Sequence, residues 1–312
     1  MKDLVIRPLD ADETDLFLSY SGDRVPDVGV EWRRDYRETL KAGQYRPEWT
    51  WVALRGGEVV ARAAWWGFPT SSEPLTLDWF EPGTGPDRVE IGARLLGTAY
   101  RQLGADNGER PPFHLFLPPG WRDIPAARAA ADARVAAAER AGLTPFVERL
   151  RFTWTADEGQ PPRSTRLVFR AGDDAAILDA VRRSIDGTLD AITRQDVARQ
   201  GTEYAARAIV EELAEFPSPR EWWRLAYTPD GDLVGVTIPA RNFTNPVIGY
   251  IAVLPEKRGH GYSDDLLSEA TAVLVENGAD LVNADTDLGN TPMAASFRRC
   301  RYRNTGIRLV LQ

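Results

Sequence analysis

The stretch that decides the fold lies near the C-terminus and reads Val247-Ile-Gly-Tyr-Ile-Ala-Val-Leu-Pro-Glu-Lys-Arg-Gly-His-Gly-Tyr-Ser-Asp-Asp-Leu-Leu267. Its first residues are mostly β-branched or aromatic and predict a strand that ends at Pro255. From Ser263 onward, a capping side chain, two acids and apolar residues at helical spacing predict a helix. The glycines of Arg258-Gly-His-Gly261 allow a tight turn between them. A glycine-rich turn before a helix predicts an anion site, usually for phosphate.

Two familiar phosphate loops are excluded, because the sequence contains neither Gly-x-x-x-x-Gly-Lys-Ser/Thr nor the dinucleotide pattern Gly-x-Gly-x-x-Gly. The stretch instead resembles the acetyl-CoA loop of the GNAT superfamily of N-acetyltransferases. That family has Arg/Gln-x-x-Gly-x-Gly/Ala after a strand that ends in Val-x-Pro. Here the residues are Val253-Leu-Pro255 and then Arg258-Gly-His-Gly261-Tyr-Ser263, so that Ser263 replaces the last small residue.

A second match follows downstream. Residues 280–286 predict a strand, and Asn290-Thr-Pro-Met-Ala-Ala-Ser-Phe-Arg-Arg-Cys-Arg-Tyr302 comes after it. This resembles the next GNAT segment, Asn-x-x-apolar-x-x-x-aromatic-x-x-x-Gly-Phe/Tyr, with Arg301 in place of the glycine. Together the two matches extend the resemblance over residues 165–312.

The predicted elements occur twice in the same order, which indicates an internal duplication. In the first half, two helices over 10–20 and 31–43 precede a hairpin at Arg55-Gly-Gly57, and the second half has its hairpin turn at Pro229-Asp-Gly231. A polar, Pro/Gly-rich border over 156–164 separates the halves. The expected fold class is therefore α/β, with two tandem GNAT-like domains over 1–157 and 165–312. Each domain is expected to be a mixed, mostly antiparallel sheet with splayed central parallel strands, flanked by helices.

The two halves differ at the loop. In the first half the helix residues Arg88-Val-Glu-Ile-Gly92 have no glycine pair directly before them, and Glu90 would meet a phosphate. We therefore expect a degenerate N-terminal domain that binds no acetyl-CoA, beside an acetyl-CoA-binding C-terminal domain.

The composition of the chain argues against several classes of binding partner. The formal net charge of -8 argues against nucleic acid and anionic membranes. One cysteine excludes an internal disulfide, and two distant histidines make a Cys/His zinc site unavailable, so we expect no metal. The N-terminus has no apolar signal region and no run is long enough to span a membrane. A cytoplasmic monomer or homodimer is the expectation.

The resemblance implies where acetyl-CoA would bind. The pantetheine arm would lie along the strand before the loop, at Ile251, Ala252 and Val253. The pyrophosphate would contact backbone amides of the loop and the first helical turn, at Gly259, His260, Gly261, Tyr262 and Ser263. Asn290 would reach the pantetheine arm or the acetyl end. Arg258 could bind phosphate or brace the loop, and the sequence leaves both readings open.

The residues for proton transfer are less well defined. The family's frequent tyrosine acid corresponds to Phe297 here, and strand 247–253 contains no acid. Direct attack within a positioned complex is therefore expected, helped by water or by acids from elsewhere. Asp186 and Asp190 are the first candidates, with Tyr250 beside them, and Asp285 and Asp287 are the second. Each acid has an alternative reading as a helix cap or a solvated surface group.

The expected function is an N-acetyltransferase that transfers acetyl from acetyl-CoA to the primary amine of a small molecule. The acidic charge and the tryptophan pairs Trp65-Trp66 and Trp222-Trp223 suit a cationic or aromatic amine, although tryptophans more often pack in a core. Two alternatives remain: a non-catalytic acyl-CoA-binding or sensing protein, and a protein N-acetyltransferase.

Overall fold

The computed structural model describes residues 3–22, 24–30, 34–104 and 110–312. The chain divides into two compact units. The N-terminal unit comprises Met1–Glu148 with Gly306–Gln312, and the C-terminal unit comprises Arg149–Thr305.

The N-terminal unit consists of a sheet with helices. Its elements are β1 (Leu4–Pro8), α1 (Thr14–Leu18), α2 (Tyr36–Lys41), β2 (Thr50–Arg55), β3 (Glu58–Trp66), β4 (Thr76–Glu81), α3 (Arg88–Gln102), β5 (Phe113–Leu117), α4 (Pro125–Arg140) and most of β12 (Arg303–Leu311). The strand order is β1-β2-β3-β4-β5-β12. All pairs that are described are antiparallel except β4 and β5, which run parallel and pair only at Leu77 and Phe113.

The C-terminal unit has the same kind of sheet. Its elements are most of β6 (Pro145–Thr155), β7 (Val168–Ala171), α5 (Asp174–Ser184), α6 (Ala191–Gln200), α7 (Thr202–Ala214), β8 (Arg224–Tyr227), β9 (Leu233–Arg241), β10 (Pro246–Val253), α8 (Tyr262–Glu276), β11 (Leu281–Asp287) and α9 (Thr291–Arg299). The strand order is β6-β11-β10-β9-β8-β7, and the one parallel pair of the described ladders here is β10 with β11.

The two halves of the sequence exchange their last strands. β6 pairs with β11 from Leu281↔Thr155 to Asp287↔Arg149, whereas β12 pairs with β5 from Ile307↔Leu117 to Leu311↔Phe113. The compact units therefore do not coincide with the sequence segments 1–157 and 165–312. The difference arises because β6 ends before the polar border, yet completes the sheet that follows it.

The predicted fold class is confirmed: each unit is a mixed, mostly antiparallel sheet with a splayed central parallel pair and helices. The hairpin at Arg55-Gly-Gly57 is present, with both glycines at positive φ. The helix expected over 31–43 is described only as α2, and its first residues, 31–33, lie outside the described residues.

Buried aromatic and aliphatic side chains form the cores. In the N-terminal unit, Phe17 stacks on Tyr36 with ring centroids 4.3 Å apart, and Trp79 packs edge-on against both. In the C-terminal unit, a cluster that includes Val181 and Trp223 joins α5 to the sheet. Of the tryptophan pairs, Trp65 and Trp223 are buried and the other members half-buried, which indicates core packing.

Candidate functional site

The site begins where β10 and β11 separate. Along its other edge β10 pairs with β9 throughout, but its parallel pairing with β11 is limited to Val247↔Asn283. A bulge between Ile248 and Tyr250 bends β10 at this point. Beyond Val247, no described strand pairs with the edge that faces β11, so the backbone of residues 250–253 is open to an extended ligand. The predicted residues Ile251, Ala252 and Val253 are half-buried along this segment.

The glycine-rich loop leads directly into α8. Gly259 and Gly261 adopt left-handed backbone conformations, with φ of 85° and 72°. The helix begins at Tyr262, one residue earlier than the predicted cap, and Gly261 is its N-cap with no capping side chain. The predicted capping role of Ser263 is therefore wrong, because Ser263 lies inside the first turn.

The backbone amides of this loop are unpartnered. Within the described chain, no group accepts a hydrogen bond from the N–H groups of residues 259–263, whereas Asp264 donates to the carbonyl of Gly261. These amides stand at the positive end of the dipole of α8, which has 15 residues. The arrangement suits a phosphate or another multivalent anion.

Arg258 braces the loop from behind. Its guanidinium donates to three backbone carbonyls, with Nη2 2.9 Å from Ser184 O, Nε 3.2 Å from Val253 O and Nη1 3.4 Å from Gly187 O. These bonds fasten the end of β10 to the connection between α5 and α6. Of the two readings left open by the sequence, the structure supports bracing.

Two further arginines neutralise acids in the first turn of α8. Arg166 donates to Asp265 from Nε at 3.0 Å and from Nη2 at 2.6 Å, and its Nη1 lies 3.0 Å from the carbonyl oxygen of His260. Arg299 pairs in the same way with Asp264, at 2.6 and 2.8 Å. Without these partners, the two carboxylates would oppose an anion at the loop. Sequence reasoning missed Arg166, because it lies 94 residues from His260.

Two further residues predicted to bind acetyl-CoA, His260 and Asn290, lie on different elements. His260 is exposed on the loop, with its ring 5.7 Å from that of Tyr262. Asn290 is the N-cap of α9 and accepts a hydrogen bond from Met293 N at 3.3 Å. This leaves the Asn290 side-chain N–H groups with no partner among the described residues.

The contacts of Asp190 are a helix cap and an ion pair. It is the N-cap of α6, accepts from the N–H of Thr193 at 2.8 Å, and receives Arg149 Nη1 at 2.6 Å. Burial raises the pKa of Asp190, but the Arg149 charge and the Thr193 hydrogen bonds lower it by more, so the net pKa lies below the ordinary value. A carboxylate with a lowered pKa is a poor proton acceptor.

The acids after β11 also have arginine partners from β6. Asp287 accepts from the same Arg149 Nη1 at 2.7 Å and from Ala191 N at 2.6 Å, and Arg151 Nε lies 3.3 Å from Asp285. Burial, with a smaller contribution from the neighbouring Asp190 charge, raises the pKa of Asp287 despite Arg149. Sequence reasoning missed Arg149 and Arg151, since both belong to the exchanged strand.

Tyr250 faces the end of α5. Its hydroxyl lies 2.9 Å from Ser184 Oγ, which itself donates to the carbonyl of Val181. Burial raises the pKa of Tyr250 to about 12. The phenol therefore keeps its proton at neutral pH, which is the state that a proton donor requires.

Asp186 lies apart from these pairs, on the exposed connection between α5 and α6. It lines a cavity of about 590 Å³. The other lining residues are Arg182, Arg183, Ile185, Gly187, Thr188, Arg194, Val197, Ala198 and Thr202. The Asp190 charge acts on Tyr250, whereas Asp186 lies on the wall of a cavity that neither of them lines. No tryptophan lines this cavity.

Two residues near the end of α9 have buried side chains. Phe297 is buried and stacks on Phe152 of β6 with centroids 4.9 Å apart. Cys300 is also buried, and burial raises the pKa of its thiol to about 11. The structure therefore agrees with reading Cys300 as a packed residue rather than a nucleophile.

The N-terminal unit has a loop of different geometry at the equivalent place. Contrary to the reading from residues 88–92 alone, this loop does contain two left-handed glycines, Gly83 and Gly85, with φ of 103° and 83°. They are separated from α3 by Pro86, which has no N–H, and by Asp87, which is the N-cap. The Asp87 carboxylate makes no capping hydrogen bond and pairs with Arg55 at 2.8 Å, so this helix begins with a negative charge at its N-cap.

Residues 191–302 match the model of the Acetyltransferase (GNAT) family. This segment is a GNAT domain. A GCN5-related N-acetyltransferase from Sphaerobacter thermophilus has a similar fold, with a TM-score of 0.63 and 16% identity, over 99% of this chain and 94% of that one. A tandem GNAT protein from the clavulanic acid biosynthesis pathway, solved without AcCoA, gives a TM-score of 0.53 and 19% identity, over 99% and 98% of the two chains.

A GCN5-related N-acetyltransferase from Kribbella flavida is similar over 81% of this chain and 86% of its own, with a TM-score of 0.50 and 14% identity. No curated protein sequence matches this chain. The tandem architecture expected from the internal duplication is confirmed by the likeness to the tandem GNAT fold. The family assignment supports acetyl transfer in general.

The described residues contain no group of three or more His, Cys, Asp or Glu side chains arranged to hold a metal ion. Nor does any described helix combine the length and the apolar character needed to cross a membrane.

Proposed function

We propose that the C-terminal unit binds acetyl-CoA and transfers its acetyl group to the primary amine of a small molecule. The observation that carries the proposal is the set of unpartnered amides of residues 259–263 at the N-terminus of α8. The first N–H groups of any helix lack intrahelical partners, and here the two left-handed glycines add further donors next to them. A pyrophosphate supplies acceptors for such a set of donors.

The open edge of β10 supports binding of the pantetheine arm of acetyl-CoA. The amide groups of a pantetheine arm can pair with a strand edge as an added strand would. Residues 250–253 offer such an edge, and it ends at the glycine loop. One continuous surface therefore leads from the anion site to the bulge beside Tyr250.

The N-terminal unit has the same splayed strands, but its own chain fills the gap, and we propose that it binds no acetyl-CoA. Gly29 exchanges backbone hydrogen bonds with Phe116 of β5 at 2.9 and 3.3 Å. Arg134 donates to the carbonyl of Phe80 at 3.0 Å and pairs with Glu81, and both charged side chains are buried. An incoming arm would have to break this buried pair, which is costly.

The chemistry requires a neutral amine next to the thioester carbonyl, and a proton for the departing thiolate. Asp186 forms no ion pair with the described residues, whereas Asp190 is paired with Arg149, so Asp186 is the candidate proton acceptor. Tyr250 stays protonated because burial raises its pKa to about 12, and it is the candidate donor to the thiolate. Attack is direct: the nitrogen bonds to the acetyl carbon, the carbon–sulfur bond breaks, and no acyl-enzyme forms.

The test is acetyl-CoA consumption by the full chain with a panel of small primary amines, read as released thiol. Consumption that depends on an amine supports the proposal. Binding of acetyl-CoA without turnover of any small amine or peptide would favour the non-catalytic acyl-CoA-binding alternative. Turnover of peptide N-termini or lysine side chains alone would favour a protein N-acetyltransferase.

A further inference from the structure

The cavity at the end of α5 has a distinctive charge arrangement. Its volume of about 590 Å³ lies within the range of small-molecule sites. Three arginines reach it, but two of them are already paired: Arg182 with Asp179 at 2.6 Å, and Arg183 with Glu256 at 2.6 Å. The third, Arg194, forms no ion pair with the described residues, although its charge partly offsets the rise in the pKa of Asp287.

Arg194 and Asp186 form a complementary set. In the parts of the chain that the structure describes, neither side chain takes part in an ion pair, although both line the same cavity. One available cation and one available anion on opposite elements, α6 and the connection after α5, match a ligand that carries one charge of each sign. The apolar lining residues Ile185, Val197 and Ala198 can accept its hydrocarbon part.

The other acids of this unit are not available to a simple cation. Arg149 is shared by Asp190 and Asp287, and Arg151 pairs with Asp285. With Arg182 and Arg183 already paired, a dication entering the cavity would meet one acid without an ion pair, Asp186, and one cation without an ion pair, Arg194. This charge balance favours an acceptor with one charge of each sign over a polyamine.

We propose that this cavity binds the acceptor as an amine that also bears a carboxylate, such as an amino acid, with the carboxylate on Arg194 and the ammonium on Asp186. The inference rests on the proposed function. The cavity wall is tied to both ends of the candidate acetyl-CoA site: Arg258 of the glycine loop donates to Ser184 O and Gly187 O on either side of Asp186, and Ser184 Oγ lies 2.9 Å from the Tyr250 hydroxyl beside the bulge. In the reaction Asp186 takes one ammonium proton, the freed nitrogen bonds to the acetyl carbon, and the carbon–sulfur bond breaks. Tyr250 gives its proton to the departing thiolate and is reprotonated by the second proton that the nitrogen loses, so that the products are the N-acetylated acid and CoA thiol.

Paired amines that differ only in the carboxylate test the proposal. L-Leucine is compared with isoamylamine, L-phenylalanine with phenethylamine, and L-lysine with cadaverine, by released thiol at saturating acetyl-CoA. We expect kcat/KM to be higher for the acid of at least one pair. Arg194→Gln should then raise KM for that acid about tenfold or more and leave its carboxylate-free partner unaffected, since one charge-assisted pair is lost.

Arg207→Gln is the matched control, because Arg207 is exposed on α7, pairs with Glu203, and does not line the cavity. It should leave both members of each pair unchanged. A preference for the carboxylate-free amines, no acetylation of any of these acids, or an equal effect of Arg194→Gln on both members would overturn the proposal. Titration of acetyl-CoA into the same variants separates this failure from failure of the proposed function, since acetyl-CoA should bind in every case.

Discussion

Arg149 donates to Asp190 across 2.6 Å, and this ion pair joins β6 to the first turn of α6 although the residues are 41 positions apart. The same guanidinium atom lies 2.7 Å from Asp287 at the end of β11. Three elements of the C-terminal unit thus meet at one cation. A strand from the first half of the sequence therefore holds together the helix and the strand that flank the candidate site.

Asp190→Asn tests whether this contact is structural. Asparagine keeps the N-cap but loses the charge, so we expect the free energy of unfolding to fall by about 1–2 kcal/mol at neutral pH. Asp190→Ala, which also loses the cap, should cost about 1 kcal/mol more. Urea denaturation measures both. Affinity for acetyl-CoA should stay unchanged.

The pH dependence of this effect has a defined sign. The folded pKa of Asp190 is lowered, so its contribution is present above the unfolded pKa of about 4 and is lost as the pH falls through the folded pKa. The difference between parent and Asp190→Asn should shrink in acid. Equal stability of the two proteins at neutral pH would contradict the structural role and return Asp190 to the candidate catalytic acids.

The strand exchange predicts which fragment can fold. β6 pairs with every residue of β11, so a fragment of residues 158–312 leaves that edge of the sheet open. We expect residues 145–312 to show the higher melting temperature and the smaller tendency to aggregate. Circular dichroism and size-exclusion chromatography give the comparison. Equal melting temperatures for the two fragments would mean that β6 adds nothing to the C-terminal unit.

Local patterns in the sequence predicted most of the elements. The strand, the glycine turn and the helix over 247–267 lie next to one another in the chain, so residue type and spacing determine them. The hairpin at Arg55-Gly-Gly57 is predictable for the same reason, because a short turn fixes its pairing.

The pairing of strands that are distant in sequence was not predictable from those patterns. β6 and β12 have similar strand character, and the alternation of apolar and polar residues does not indicate which sheet each strand joins. Local patterns also could not predict Arg149 and Arg166 as partners, because each arginine is far in sequence from the acid that it contacts. An isolated Asp190 suggests a catalytic acid, whereas its arginine partner and the N–H of Thr193 favour the reading of Asp190 as a helix cap.

Arg166 gives a test of the anion site. Arg166→Gln leaves the Asp265 carboxylate uncompensated beside the loop amides, so we expect the Kd for acetyl-CoA to rise about tenfold at low salt. Isothermal titration calorimetry measures this change. The double variant Arg166→Gln with Asp265→Asn removes both charges and should recover most of the affinity. A double variant as weak as the single one would show that Arg166 acts in some way other than by neutralising Asp265.

Cys300 should be inert in the folded protein. It is buried, and burial raises the pKa of its thiol to about 11, so little thiolate forms near neutral pH. Iodoacetamide should label it only after unfolding, as read by mass spectrometry. Labelling of the native protein together with loss of activity would place Cys300 in the site.

The stoichiometry of acetyl-CoA binding tests the central claim most directly. Calorimetric titration of the full chain should give one site per chain, located at the loop before α8. Gly261→Val should abolish binding while the circular dichroism spectrum is retained, because a β-branched residue is strained at φ of 72° and crowds the amides. Gly85→Val, the matched change at φ of 83° in the N-terminal unit, should leave binding intact. Two sites per chain, or unchanged affinity in a folded Gly261→Val protein, would contradict the account.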